Sequence, residues 1–539
     1  MVKLFSVTEM RSVEKDANQK GLTYEMMMEN AGRGIAKEIE LAYSLLNHKY
    51  VFALVGSGNN GGDALVALSH LASNNWKASA YIVGKRPDND PLISRLLDNH
   101  GQIIYSYSDV DFHHLKELLE SNTVLMDGIL GTGIKLPLKD DIAQILSIVN
   151  SLNSNSAKKL HVVAVDCPSG INCETGEAAN ETIPAEITVT MAGMKTGLIK
   201  FPAANLTGEI RIASIGSIND LDLYRENKKS ILTDEIIRQF LPKRPLDSHK
   251  GTFGTALIVA GSINYTGAAF FAGMAAYKIG VGLVTMAVPA PLHVALSGNF
   301  PECTWILLPH EMGVISSDAA KVLRKEIKKA TALLIGPGFG LEDTTKEFIR
   351  KLISSNYKRR VTIGFIHDVI EDEESSTIEI PMVVDADGLK LLTKIDKWYE
   401  LLPSPSVLTP HPGEMAELTG LSTLEIQENR IQIAKQYSES WGHVIILKGA
   451  YTVVAEPEGQ IAVVPVATPA LAKAGTGDVL AGLITGLLAQ GVKPFQAACT
   501  AAYIHANAGV LAAKRQENTA SVMASDVLNS VPQVISHLQ

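Results

Sequence analysis

YVFALVGSGNNGGDALVALSHLASNN, residues 50–75, places an apolar run, a glycine-rich turn and a helical pattern in direct succession. The run YVFALV lacks polar alternation, which predicts a strand covered on both faces, as in a parallel sheet. The turn GSGNNGGD (56–63) holds four glycines, so the backbone can approach a ligand closely while the following helix offers unpaired N–H groups to an anion. It is neither a P-loop nor a dinucleotide fingerprint: no lysine follows the glycines, and Asp63 stands at the wrong step after Gly56, Gly58 and Gly61. Such a turn is as often purely structural as functional. Asn59, Asn60 and Asp63 shift the balance, because open α/β sheets bind ligands at this position.

The same strand–loop–helix unit recurs on either side. SAYIVG (79–84), TVLMDGILGTG (123–133), HVVAVDCPSG (161–170) and ITVTMAG (187–193) continue it through the first half. Asp127 and Asp166 each stand near a strand end, where an aspartate often only caps the next turn. Several such ends on one side of a parallel sheet favour a convergent acidic pocket. Its oxygen donors suit a hard cation and not zinc. Ser169 lacks the G-x-S-x-G elbow that exposes a nucleophile.

Residues 218–250 are polar and carry no strand-like run, which marks a connection leading into a helix. The rhythm restarts with GTALIVAGS (254–262), GLVTMAVP (282–289), ALLIGPGFG (332–340), MVVDADGL (382–389), SVLTPHPGE (406–414) and VIILKGAYTVV (444–454). Two α/β domains in series follow, 1–224 and 225–539, with the boundary near residue 225. The acidic run within 357–380 reads as a solvated loop.

At 539 residues, 46% hydrophobic and 19% charged, the composition is that of a soluble globular protein. The net charge of −9 comes without a basic stripe, which argues against nucleic acid. No apolar run reaches the ~18–20 residues that span a bilayer, and no signal-peptide core opens the chain, so a cytoplasmic protein without membrane contact is expected. Cys167, Cys173, Cys303 and Cys499 are scattered, which predicts free thiols and no zinc or disulfide framework.

In the second half, TPALAKAGTGDVLAGLITGLLAQG (468–491) is the most informative stretch. Gly475-Thr476-Gly477-Asp478 opens a long apolar helix whose N–H groups can hold a phosphate or developing oxyanion, with Asp478 beside them as a base. A simple N-cap aspartate is the competing reading. Strand ends at Lys448-Gly449, at LTPHPGE with His411 and Glu414, and at DADGL with two aspartates favour a site.

Taken together, these motifs resemble two known families. NNGGD, DGILGTG, VDCPSG and MKTG (194–197), preceded by MMMENAG (26–32), resemble the NAD(P)H-hydrate epimerase domain over about residues 1–220. The resemblance implies a Rossmann-like three-layer fold and interconversion of the two C6 epimers of hydrated NAD(P)H. It also implies K+ on Asn60, Asp127 and Ser169, and hydrate binding by Asn59, Asn60, Gly61, Gly62, Asp63, Gly131, Thr132, Gly133, Ile134, Lys135, Leu136, Pro137 and Asp166. Epimerisation at a hemiaminal-type carbon needs ring-nitrogen assistance and proton transfer, and Asp166 is the first choice for the second task. Ala64 stands where the family usually has a further glycine, and Cys167 replaces an aliphatic residue.

SHKGTFGTALIVAGS, YTGAA, IGPGFG, DADGL, LTPHPGE, LKGAYT and LAKAGTGDVLAG resemble the ribokinase-like superfamily and, within it, the NAD(P)H-hydrate dehydratase, from about 230 to 535. The family reaction phosphorylates the C6 hydroxyl of the hydrate, after which phosphate leaves. By this resemblance Asp478 is the base, the N–H groups of Ala474 to Gly477 stabilise the phosphoryl group, and Mg2+ neutralises the nucleotide. The hydrate would contact Ala268, Gly338, His411 and Asp478, and the nucleotide Lys448, Gly449, Ala450, Tyr451, Thr452 and Gly477. ADP is the implied donor, the hydrates NADHX and NADPHX the substrates, and a homo-oligomer the assembly. The alternatives are a ribokinase-like small-molecule kinase fused to a nucleotide-binding domain, or a non-catalytic nucleotide sensor.

Overall fold

The computed structural model describes residues 2–155, 160–354 and 378–539. Most of the expected acidic loop at 357–380 therefore lies outside the described residues. The chain divides into two compact units, Val2–Lys229 and Ser230–Gln539.

The first unit is built on a seven-stranded sheet. Its order is Gln102–Tyr105, Lys77–Ile82, Tyr50–Val55, Val124–Gly128, His161–Val165, Ile187–Met191, Glu209–Ala213, and every pair is parallel. Strand Tyr50–Val55 is apolar throughout because both of its faces are covered. Val51, Ala53 and Val55 pack with Ile35, Ile39, Leu65 and Leu68, whereas Phe52 and Leu54 pack with Leu118, Leu146 and Val149 on the opposite side. The result is a three-layer sandwich of Rossmann type. Successive strands run outward from Tyr50–Val55 and then return to its other side at Val124–Gly128. The loops after these two strands thus flank the point where the strand order reverses, which is where such sheets bind ligands.

The second unit repeats the logic with a different sheet. Thr304–Leu308, Leu283–Pro289, Thr255–Val259, Ala332–Ile335, Met382–Val384, Val407–Leu408 and Val444–Leu447 pair in parallel in that order. Val453–Ala455 and Ile461–Val463 then extend the sheet antiparallel, which the expectation of a parallel sheet did not include. VIILKGAYTVV is accordingly two strands, since Gly449 at φ +143° and Tyr451 at φ +52° reverse the chain between them. The reversal point lies between Thr255–Val259 and Ala332–Ile335, and there the Gly261 N–H donates to Pro337 O at 2.8 Å. Helix Thr476–Ala489 lies against helix Thr266–Lys278 at close range: a Cβ on Gly482 would stand 2.1 Å from Ala272 O. This contact explains a glycine inside a helix, where it otherwise costs stability.

Short strands account for most differences from the sequence reading. Gln102–Tyr105, Glu209–Ala213, Thr304–Leu308 and Ile461–Val463 were not expected. Lys229–Ile231 is a three-residue strand inside the stretch expected to hold none. Among the described residues no helix is long and apolar enough to cross a membrane.

Candidate active sites

In the first unit, the glycine turn after Tyr50–Val55 leads into helix Asn59–Ser73, capped by Gly58 without a side-chain bond. Its tightness has a steric cause: a Cβ on Gly61 would sit 2.0 Å from Gly56 O, and one on Gly56 2.0 Å from Ile129 O. Ala64 fits here by facing Gly128, the one position where a second Cβ would collide with its own at 2.7 Å. Arg86, not singled out from sequence, braces the turn from below. Its Nη1 donates to Gly56 O at 2.8 Å and its Nε to Asp90 Oδ2 at 2.7 Å.

Asn60, Asp127 and Ser169 come together around the backbone of Leu130. Asn60 Nδ2 donates to Leu130 O at 3.0 Å, and the Leu130 N–H donates to Ser169 Oγ at 2.9 Å. Ser169 Oγ in turn donates to Asp127 Oδ1 at 2.5 Å, and the Ser169 N–H to Asp127 Oδ2 at 2.7 Å. Asp127 is fully buried, and burial pushes its carboxyl up despite the Ser169 and Ile129 hydrogen bonds. Among the described residues no lysine, arginine or histidine forms an ion pair with it. An ionised carboxylate so buried is costly without a compensating charge, and the oxygen donors around it are of the kind that suit a hard cation. Gly131 lies next to Asn60, at 3.3 Å from a notional Cβ to the Asn60 amide carbon. Thr132 and Ile134 are half-buried, while Gly133, Lys135, Leu136 and Pro137 are exposed.

Asp166 stands beyond that nook with φ +65°, in the left-handed region that aspartate tolerates at a cost. Three donors converge on its Oδ1: Lys195 Nζ at 2.5 Å, Thr190 Oγ1 at 2.9 Å and the Met191 N–H at 3.4 Å. Asp63 and Glu14 join the same cluster. Burial, then the charges of Asp166 and Glu14, hold the Asp63 carboxyl well above the usual range against the pull of Lys195. Glu14 is likewise raised, first by burial. Cys167 and Cys173 are buried free thiols, and the contact with Cys173, then burial, raises the Cys167 thiol. A raised thiol is a poor nucleophile.

In the second unit, helix Thr476–Ala489 starts after Gly475 at φ +87°, so Asp478 is the third helical residue and not the N-cap. A cavity of about 390 Å³ opens at this helix start, lined by His411, Lys448, Gly449, Ala450, Thr452 and Gly477 together with the apolar Val466, Leu471 and Leu480. Tyr451, Ala268, Gly338 and Asp478 do not line it. Ala268 and Gly338 meet each other, with Gly338 at φ +64° and a notional Cβ 2.8 Å from that of Ala268. His411 caps helix Pro412–Thr419: its Nδ1 accepts from the Glu414 N–H at 3.1 Å while half of its side chain remains exposed to the cavity side.

Lys448 organises the carboxylates around this helix start. Its Nζ donates to Asp385 Oδ1 at 2.8 Å and lies 3.5 Å from Glu414 Oε2. Burial opposes its charge, yet Asp385 and Glu414 raise it. Asp385 is also fixed by Thr409 Oγ1 at 2.6 Å, and Asp387 Oδ2 accepts from the Gly340 N–H at 3.0 Å. Asp478 has no such partner among the described residues. Burial and the neighbouring Asp385 push it up to about 7, against Lys448 and with a further push from Asp387. A carboxyl poised there can accept a proton near neutrality. No local motif signals the pairing of Asp385 with Lys448 and Thr409, although DADGL, LKGAYT and LTPHPGE each carry one member.

Comparison with known proteins decides the family. Residues 256–533 match the family model for NAD(P)H-hydrate dehydratase, and residues 24–197 that for the YjeF-related protein N-terminus. The bifunctional NAD(P)H-hydrate repair enzyme Nnr of Moorella thermoacetica is 33% identical over 99% of this chain and 97% of its own. The chain belongs to the bifunctional NAD(P)H-hydrate repair enzyme family. The Escherichia coli repair enzyme is 30% identical, over 98% of this chain and 92% of its own. Among solved structures, an ADP/ATP-dependent NAD(P)H-hydrate dehydratase from Bacillus subtilis, co-crystallised with ATP and Mg2+, is 28% identical. It covers 57% of this chain and 99% of its own, with a TM-score of 0.46.

As a repair enzyme of this family, the protein epimerises hydrated NAD(P)H with its first unit and dehydrates it in a nucleotide-dependent reaction with its second. The readings as a small-molecule kinase or a non-catalytic sensor are set aside on the same ground.

Proposed function

We propose that the first unit works through Asp166 and a potassium ion, and that the second takes ADP as donor and Asp478 as base. Potassium on Asn60, Asp127 and Ser169 would compensate the buried carboxylate and fix the loop around Leu130. The substrate would lie over Asn59–Asp63 and the 131–137 loop. There, the ring nitrogen lone pair forms a C=N bond as the C6–O bond breaks, and the hydroxyl takes a proton from solvent and leaves as water. Water adds back to the opposite face of C6 and loses its proton. Asp166 accepts that proton and passes it back to solvent.

In the second unit, Asp478 takes the proton of the C6 hydroxyl as its oxygen attacks the β-phosphorus of ADP and AMP leaves. The N–H groups from Ala474 to Gly477 stabilise the transferring group. Phosphate then departs from C6 and a proton from C5, which restores the dihydronicotinamide double bond. Mg2+ supplies charge neutralisation on the phosphates. The carboxylates nearest Asp478 are engaged by Lys448, Thr409 and Gly340, so the metal reads as entering with the nucleotide. A domain boundary near 225, a cytoplasmic setting and a homo-oligomer belong to the same reading, supported by the four buried free thiols for the setting.

The observation that carries the reading is Asp478, a buried carboxyl pushed up to about 7 in the first turn of the helix at whose start the cavity opens. The test is incubation of hydrated NADH with ADP or with ATP. Recovery of dihydronicotinamide absorbance, faster with ADP, supports it. A stable phosphorylated hydrate, or equal rates with both nucleotides, counts against it.

A further inference from the structure

MKTG (194–197) follows strand Ile187–Met191, and nothing in the reaction proposed above uses its lysine. Yet Lys195 is almost wholly buried, with 3% of its side chain exposed. A lysine in that position is costly unless its charge is paired. Its ammonium has three acceptors: Asp166 Oδ1 at 2.5 Å, Thr190 Oγ1 at 2.9 Å and Met191 O at 3.0 Å. All protein donors to Asp166 end on Oδ1. Among the described residues none reaches Oδ2, so one carboxylate oxygen is held and the other is left for a ligand.

The geometry points to Lys195 as the positioning residue of the epimerase, turning Asp166 so that its free oxygen faces the reacting hydroxyl. This inference rests on Asp166 being the proton-transfer group. The charge balance supports it independently. Asp166, Glu14 from helix Val7–Gln19 and Asp63 from helix Asn59–Ser73 surround one ammonium, with Arg11 beside Glu14 and the Cys173 thiol near Lys195. Burial pushes Glu14 and Asp63 towards their neutral forms, and Lys195 opposes both shifts. Lys195 is thus the buried cation that faces all three carboxyls. The left-handed backbone of Asp166 is tied on the same side, its N–H donating to Val189 O at 2.8 Å.

The test uses the full-length protein with separated hydrate epimers, for wild type, Lys195→Met, Lys195→Arg and Thr190→Val. Dehydration of the S epimer with ADP on the same samples checks the second unit. Expected for Lys195→Met is a kcat for epimerisation lowered by about 10- to 100-fold, with KM little changed. The acid limb of its pH profile moves up by about 1–3 pH units, the effect of removing an adjacent opposite charge. Lys195→Arg, which keeps the charge, returns the limb towards the wild-type position. A folded Lys195→Met enzyme with the wild-type pH profile overturns the inference, as does equal loss in Met and Arg variants with the limb unmoved. Should both lysine variants fail to fold, Thr190→Val decides, because it loosens the same oxygen: an unmoved profile there refutes the proposal. Absence of epimerisation in the wild type would instead remove the Asp166 reading itself, which separates the two failures.

Discussion

Replacing Asp478 with asparagine should remove dehydration and at the same time stabilise the second unit above neutral pH. The reasoning starts from the carboxyl, raised from 3.8 to about 7, first by burial and then by Asp385. A folded-state value above the unfolded one means that the folded protein retains a proton which the unfolded chain releases. Stability from this group is complete below about pH 4 and is lost as pH rises through 7. The shift spans about 3 units at ~1.4 kcal/mol each, so wild type carries a penalty of about 4 kcal/mol at pH 8 that asparagine does not. The stability gap between the two should therefore widen from pH 4 to 7 and stay level beyond.

Urea unfolding followed by tryptophan fluorescence reads this well, since Trp305, Trp398 and Trp441 lie in the second unit and only Trp76 in the first. Dehydration by wild type should rise with pH up to about 7, where the base becomes ionised, and then level off. In Asp478→Asn it should fall by about 10²–10⁴-fold, the usual worth of a general base. Epimerisation should be untouched. A variant no more stable than wild type at pH 8, or one that dehydrates within tenfold of it, would refute the assignment of a strained base.

Epimerisation should be faster in K+ than in Na+ or Li+ at equal ionic strength, and Asp127→Asn should abolish that preference. A rate indifferent to the cation sinks the assignment of Asn60, Asp127 and Ser169. Gly61→Ala should disable the epimerase and cost about 1–3 kcal/mol, because its Cβ meets Gly56 O at 2.0 Å and backbone cannot yield easily; dehydration by the same protein is the control. Replacing Cys167 and Cys173 together with alanine should leave epimerisation within about threefold while lowering stability by about 1 kcal/mol for each buried thiol lost, read by thermal unfolding. Loss of activity in the folded double variant would give the thiols a role.

The sequence made the strand–loop–helix units legible because buried parallel strands are apolar without interruption, and several of the glycines that follow them are required sterically. Gly56 and Gly61 are examples: each excludes a Cβ by a carbonyl about 2 Å away. Short strands escaped notice for the opposite reason. Glu209–Ala213 is half-exposed at the sheet edge, and Lys229–Ile231 sits among charges, so neither presents an apolar run. Local motifs also could not reveal pairings across the fold. Lys448 and Asp385 are 63 residues apart and Lys195 and Asp166 29 apart, and only the closed sheets bring them together. Arg86 is the clearest case, because KRPDND carries no signal that its guanidinium would hold Gly56 O.

Those two pairings suggest why one chain can run two kinds of proton chemistry near neutrality. Each unit buries one lysine among several carboxyls and pairs it with one of them, Asp166 in the first and Asp385 in the second. The carboxyls left without that partner are then raised: Asp63 and Glu14 in the first unit, Asp478 in the second. The paired aspartate differs in placement. Asp385 is buried to 1% exposure and bonded by both Lys448 and Thr409, so it can act only through the field it exerts on Asp478. Asp166 keeps a free oxygen and 14% side-chain exposure, so it can meet substrate itself. With the roles proposed for Asp478 and Asp166, the same lysine–carboxylate device would leave the unpaired group as the base in the dehydratase and the paired group in the epimerase. On this argument, neutralising Lys448 should raise the pH at which dehydration reaches its plateau, since its positive charge restrains Asp478 from rising further.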